Sequence, residues 1–161
     1  MIDVSVEDAR WSDLDALAER AIAATFDRVG IEPSVFVVSV MGCNDERIRA
    51  LNADFRAKEA ATNVLSWPSQ DLATGRPGET PLPPEQDPFG ETELGDIALS
   101  FDTCTSEAEA AKLPFAHHCL HLIVHGTLHL LGYDHIDDQD AALMEGLEVE
   151  ILATLGVADP Y

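Results

Sequence analysis

The residues best placed to do chemistry are histidines. All six of the chain fall between His117 and His135, and three stand in the run His125-Gly126-Thr127-Leu128-His129-Leu130-Leu131-Gly132-Tyr133-Asp134-His135. His125 and His129 are four positions apart. On a helix they share one face, turned by about 40° and raised by about 6 Å, so both imidazoles can reach one ion. A helix cannot bring a third histidine six positions further on to the same point. The chain has to turn first, and Gly132 is where the turn falls, because glycine accepts the left-handed conformation that ends helices. Tyr133 and Asp134 then lead back to His135. Three neutral imidazoles leave the fourth corner of a tetrahedron open, the pattern of a catalytic zinc and not of a structural one.

A single histidine on an apolar helix is ordinarily a core residue. Three at ligand spacing with a glycine at the turn read as a metal site, with His125, His129 and His135 binding one Zn2+ ion. The spacing H-x3-H-x2-G-x2-H also matches the zinc signature of metzincin proteases, in which glutamate follows the first histidine as general base. Gly126 holds that position here. The motif therefore argues for a metal-activated water on a zincin-like helix and against peptide cleavage.

The chain of 161 residues, 46% of them hydrophobic, suffices for one domain with a real core. Its 9 basic and 30 acidic residues give a net charge of −21. That balance excludes a nucleic-acid role resting on overall charge, so any such role needs a local cationic spot. Cys43, Cys104 and Cys119 are odd in number and form no CxxC pair, which reads as reduced core cysteines of a cytoplasmic protein. No secretory signal and no membrane span is expected.

The positioning elements follow from periodicity. Ile2, Val4 and Val6 alternate as a first strand. Ser12 and Asp15 suggest a capping box for a helix over Leu14, Leu17, Ala21, Ile22 and Phe26, ended by Gly30. Residues 34–41 form the best strand, and Asn44 caps a helix with Ile48, Leu51 and Phe55 inward. Arg47, Arg49, Arg56 and Lys58 supply four of the nine basic residues. Arg47 and Arg49 read as a solvated face. Arg56, near the helix end, is placed for a guanidinium to grip phosphate. Residues 62–67 form a short strand. Residues 69–93 are a Pro-rich, acidic insertion read as a surface loop, with a lid as the alternative. A strand over 95–100 follows, then a helix from Asp102 or Thr103 to about Lys112. The histidine helix opens at Pro114. Asp137 or Asp138 caps the last helix, with Leu143, Leu147, Ile151 and Leu155 as its inner stripe. The expected fold is α+β: a small, mixed four-stranded sheet packed by about five helices, in a single domain over 1–161.

Three blocks resemble the YbeY family of bacterial metal-dependent endoribonucleases. They are Leu51-Asn52, Phe55-Arg56, Lys58 and Thr62-Asn63-Val64-Leu65-Ser66-Trp67-Pro68; then Leu94-Gly95-Asp96-Ile97; then His121-Leu122 and His125 through His135. Trp67 stands where that family usually has another aromatic. The resemblance implies zinc on His125, His129 and His135, and Arg56 as the important site arginine. It also implies cleavage of single-stranded RNA in small-subunit rRNA maturation and ribosome quality control, with rRNA and the small ribosomal subunit as partners and no DNA or membrane. The metal would lower the pKa of a water towards neutrality, and Arg56 would offset charge building on the phosphoryl oxygens. His121, one turn before His125, is a candidate proton shuttle, with packing as the alternative. Asp96 and Asp134 are either site carboxylates or turn residues. Two other readings remain: a metallohydrolase of another substrate such as peptide, and a non-catalytic ribosome-assembly factor with structural zinc.

Overall fold

The computed structural model describes residues 1–161. The elements in chain order are β1 (Ile2–Val6), α1 (Leu14–Val29), β2 (Phe36–Cys43), α2 (Asp45–Arg56), β3 (Val64–Pro68), β4 (Thr92–Ser100), α3 (Phe101–Ala111), α4 (Phe115–Leu130) and α5 (Asp138–Thr154). The strands form one sheet in the order β1-β2-β4-β3. β2 pairs in parallel with β1 and β4, while β3 lies antiparallel to β4 at the edge. This is the expected mixed four-stranded sheet with five helices.

Alternation along the strands divides the interior. Val38, Val40, Ile97 and Leu99 face a large core shared with α1, α4 and α5. Cys43, Leu65 and Ala98 face the other side, where Ile48 of α2 closes a smaller cluster. All three cysteines are buried and free. β4 carries an irregularity at the point where Val37 pairs with Glu93 but Val38 pairs with Gly95, so Leu94 is an extra residue. Gly95 has φ +150°, and a Cβ there would lie 2.4 Å from the Trp67 carbonyl oxygen and 2.7 Å from Leu130 Cδ2. Only glycine fits where β4, β3 and α4 meet this closely.

Local expectations fail in three informative places. Phe55, expected to point inward from α2, is 65% exposed, because the buried face of that helix is made by Ile48 and Asn52 and its last turn runs past the small core. The capping box at Ser12 does not form: Asp13 is the N-cap of α1 and no side chain bonds the free N–H groups. Asn44 and Asp137, by contrast, do accept from backbone N–H groups at the starts of α2 and α5. The inner face of α5 is also rotated from the expected stripe. Met144, Leu147, Glu148, Ile151 and Leu152 are buried, not Leu143 and Leu155. A strict four-residue spacing drifts round a helix of 3.6 residues per turn, and the burial follows the helix.

Candidate metal centre

α4 crosses the sheet with its apolar side in the core. Pro114 stands at its N-cap, and Gly126 packs against β4, where a Cβ would lie 3.3 Å from Ile97 Cδ1 and Cγ2. Close helix–sheet contact thus accounts for the residue after His125. The helix ends at Leu130, and Gly132 adopts φ +98°. A side chain on Gly132 would meet Leu72 Cβ and Pro81 Cβ, each at 2.9 Å. The turn brings His135 back as expected. Candidate ligand atoms of His125, His129 and His135 all lie within 4.8 Å of one another.

The outer nitrogens of two rings fix what the inner ones offer. His125 Nδ1 lies 2.5 Å from Glu148 Oε1, and His129 Nδ1 lies 2.9 Å from the Tyr133 carbonyl oxygen. A carboxylate and a carbonyl only accept, so both Nδ1 atoms carry protons and donate. In neutral rings, both Nε2 atoms then present lone pairs. Burial first, then the neighbouring His125 and His135, push His129 down to about 4, so its ring is neutral at physiological pH. Yet His125 Nε2 and His129 Nε2 face each other at 3.1 Å. A shared proton or a metal ion between them would relieve the facing lone pairs. With the third imidazole converging on the same point, the group could hold one metal ion. Tetrahedral zinc with bonds of about 2.0–2.1 Å separates its nitrogens by about 3.3 Å, so the residues present fit the ion.

Two residues missed in the sequence complete the support. Glu148 is 0% exposed and accepts from His125 Nδ1 and from the hydroxyl of Tyr161, the last residue of the chain. Burial alone would raise its carboxyl. The hydrogen bonds from His125 and Tyr161, with the His121 ring 3.7 Å away, outweigh that and hold it at about 2. Burial, followed by that bond to Glu148, pushes the Tyr161 hydroxyl well above its ordinary range. A signal for Glu148 existed: it is the acidic residue lying four after Met144 and three before Ile151, on the buried face. Nothing local marked Tyr161.

The centre opens into a cleft of about 1020 Å³, lined by His125, His129 and His135 and by Arg56 at the end of α2. Arg56 is exposed, and the structure gives it no ion pair. His121 lies outside the lining, with Nε2 at 3.7 Å from Glu148 Oε1 and 3.4 Å from the Tyr161 hydroxyl. Asp134 lines the cleft and accepts from the His135 backbone N–H at 2.7 Å. Asp96 is exposed on β4 and outside the cleft. The insertion forms one wall. Leu72 is buried, Leu82 N–H donates to its carbonyl at 2.8 Å, and Gly78 N–H donates to Asp140 Oδ1 on α5 at 2.8 Å.

Comparison with known proteins agrees with this geometry. The family model described as Endoribonuclease YbeY matches residues 2–156. The Endoribonuclease YbeY of Ruegeria pomeroyi is 59% identical, over 99% of this chain and 97% of that protein. That of Ruegeria sp. strain TM1040 is 53% identical, over 100% and 96%. That of Bradyrhizobium diazoefficiens is 43% identical, over 94% and 78%. The solution structure of TM1509 from Thermotoga maritima, 20% identical, shares the fold with a TM-score of 0.57 over 99% of this chain and 98% of that one.

Proposed function

This chain belongs to the YbeY family of endoribonucleases, and from that premise we propose that it hydrolyses phosphodiester bonds of single-stranded RNA. The reading gives it one zinc ion on His125, His129 and His135, and a role in maturation of small-subunit ribosomal RNA and in ribosome quality control. The observation that carries the reading is the pair of Nε2 atoms facing each other at 3.1 Å, with both outer nitrogens committed to acceptors. When bound there, zinc supplies a polarised water of lowered pKa and a counter-charge for a phosphoryl oxygen.

The chain's own residues do the rest. Glu148 and the Tyr133 carbonyl hold the two helix imidazoles in one tautomer and one orientation. Arg56, on the same cleft, takes the phosphate and offsets charge that grows on its oxygens in the transition state. His121 meets the buried side of Glu148 and not the cleft, so we assign it to holding that carboxylate. Residues of β3 and of the insertion form the walls of the cleft that would receive the substrate strand. We place this activity in the cytoplasm, on rRNA of the small ribosomal subunit, without DNA or membrane; no helix is long and apolar enough to cross a bilayer.

The test is cleavage of a labelled single-stranded RNA by purified protein, beside casein as an alternative substrate. RNA cleavage lost with chelator, restored by zinc and absent in Arg56→Ala supports the reading. Cleavage of casein without RNA cleavage, or RNA cleavage indifferent to chelator, overturns it.

A further inference from the structure

We propose that Phe55 and Trp67 form a stacking platform for one nucleobase of the RNA, beside the phosphate held by Arg56. The proposal rests on the nuclease reading and names what gives that site its grip. Phe55 sits in the last turn of α2, immediately before Arg56, and is 65% exposed. Its ring meets Trp67 of β3 edge to face, with centroids 5.6 Å apart and planes at 72°. Trp67 is itself packed on the small core of Cys43, Ile48, Leu65 and Ala98. One aromatic is thus anchored, the second is braced against it, and both line the metal cleft. Exposure alone would mean little: Phe89 is 97% exposed but lies on a loop away from the cleft. Phe55 differs in having a fixed aromatic partner, an unpaired guanidinium next in sequence and the metal centre in the same cavity.

The charge distribution favours such a platform. The cleft presents Asp71, Glu79, Asp134 and Asp140 against two cations, Arg56 and Arg76. Arg76 already has Glu79 at 3.8 Å, which leaves Arg56 as the free cation. With Arg56 as its one unpaired arginine, on a chain of net charge −21, the cleft offers few phosphate contacts. Stacking on an aromatic face is insensitive to that charge, and every base has a π-face to offer. The expected substrate is unpaired RNA, because a base inside a duplex cannot reach a ring set in a cleft.

The experiment measures binding of a fluorescein-labelled single-stranded oligoribonucleotide to the zinc-loaded protein by anisotropy. It compares wild type, Phe55→Ala and Phe55→Tyr, and repeats each titration with oligomers carrying a single abasic position moved along the strand. Phe55→Ala is expected to weaken binding roughly ten-fold, and Phe55→Tyr to restore it. One abasic position should weaken wild type by about as much, with no further loss in Phe55→Ala. With one or two phosphates engaged, the logarithm of affinity should fall with that of salt at a slope no steeper than about −1.5. Unchanged binding by Phe55→Ala, or abasic oligomers that bind wild type as tightly as the intact one at every position, overturns the platform and leaves the nuclease reading standing if wild type still cleaves RNA. Wild type that neither binds nor cleaves RNA overturns both, and aromatic-dependent binding of a casein peptide in its place assigns the rings to a peptide.

Discussion

Glu148 should set the affinity of the metal centre although it touches no ion. Its two oxygens each receive a donor, His125 Nδ1 on one side and the Tyr161 hydroxyl on the other. Glu148→Gln keeps the shape but offers one acceptor oxygen where there were two, and removes the charge. If the amide oxygen turns to His125, the ring keeps its orientation and loses only the charge-assisted part of the bond, which is about half its strength. Glu148→Ala frees the ring and leaves a buried N–H without a partner. Loss of such support typically lowers metal affinity about 10- to 100-fold, or about 1.4–2.7 kcal/mol. The glutamine variant belongs at the lower end and the alanine variant at the upper. Zinc dissociation constants from competition with a chromogenic chelator measure this, with circular dichroism of the zinc-free proteins confirming that each is folded. A folded Glu148→Ala protein that binds zinc as tightly as wild type would refute the assignment, because His125 would then need no acceptor behind it.

Other outcomes follow from the same coordinates. Arg56→Ala should slow RNA cleavage by about 10²-fold or more, while its exposed position keeps the change in urea-unfolding stability within about 0.5 kcal/mol; equal cleavage rates would remove it from the site. Gly95→Ala places a Cβ 2.4 Å from the Trp67 carbonyl oxygen, so it should destabilise by about 2 kcal/mol or more in urea unfolding, and a neutral result would contradict the packing at β4. Hydrogen bonds from the Arg10 side chain and backbone hold the Asp8 carboxyl at about 2, below its ordinary 3.8. A depressed folded pKa means that this pair's contribution is fully present above about 3.8 and is lost as pH falls through about 2. Carboxyl NMR titration should find Asp8 near 2 in wild type and raised part of the way towards its ordinary value in Arg10→Ala, which keeps the backbone N–H bond; identical titrations would remove the side-chain pair.

The features legible in the sequence were local ones. His125 and His129 lie one helical turn apart, Gly132 permits the left-handed step, and His135 follows within three residues, so the convergence of the three rings could be read without knowing the fold. The place of Arg56 on the cleft follows from its position at a helix end, and the strands from their β-branched alternation. Glu148 was obscured because Glu145 and Glu150 flank it in an acidic helix, and only the phase of burial separates them. Tyr161 reaches the site through tertiary folding, which no spacing announces. The insertion reads by composition as surface, yet Leu72 and Pro81 dock it against the turn at Gly132 and Gly78 ties it to α5. The Phe55–Trp67 pair joins a helix to a strand across a loop, so Phe55 read by helical spacing alone looks like core.

The most direct test of the central claim is zinc K-edge X-ray absorption on protein reconstituted with one equivalent of zinc, beside His129→Ala. The account predicts three imidazole nitrogens at about 2.0–2.1 Å with one further light-atom ligand in wild type, and loss of that spectrum in the variant. Sulfur in the coordination shell, or the same spectrum from His129→Ala, would contradict it.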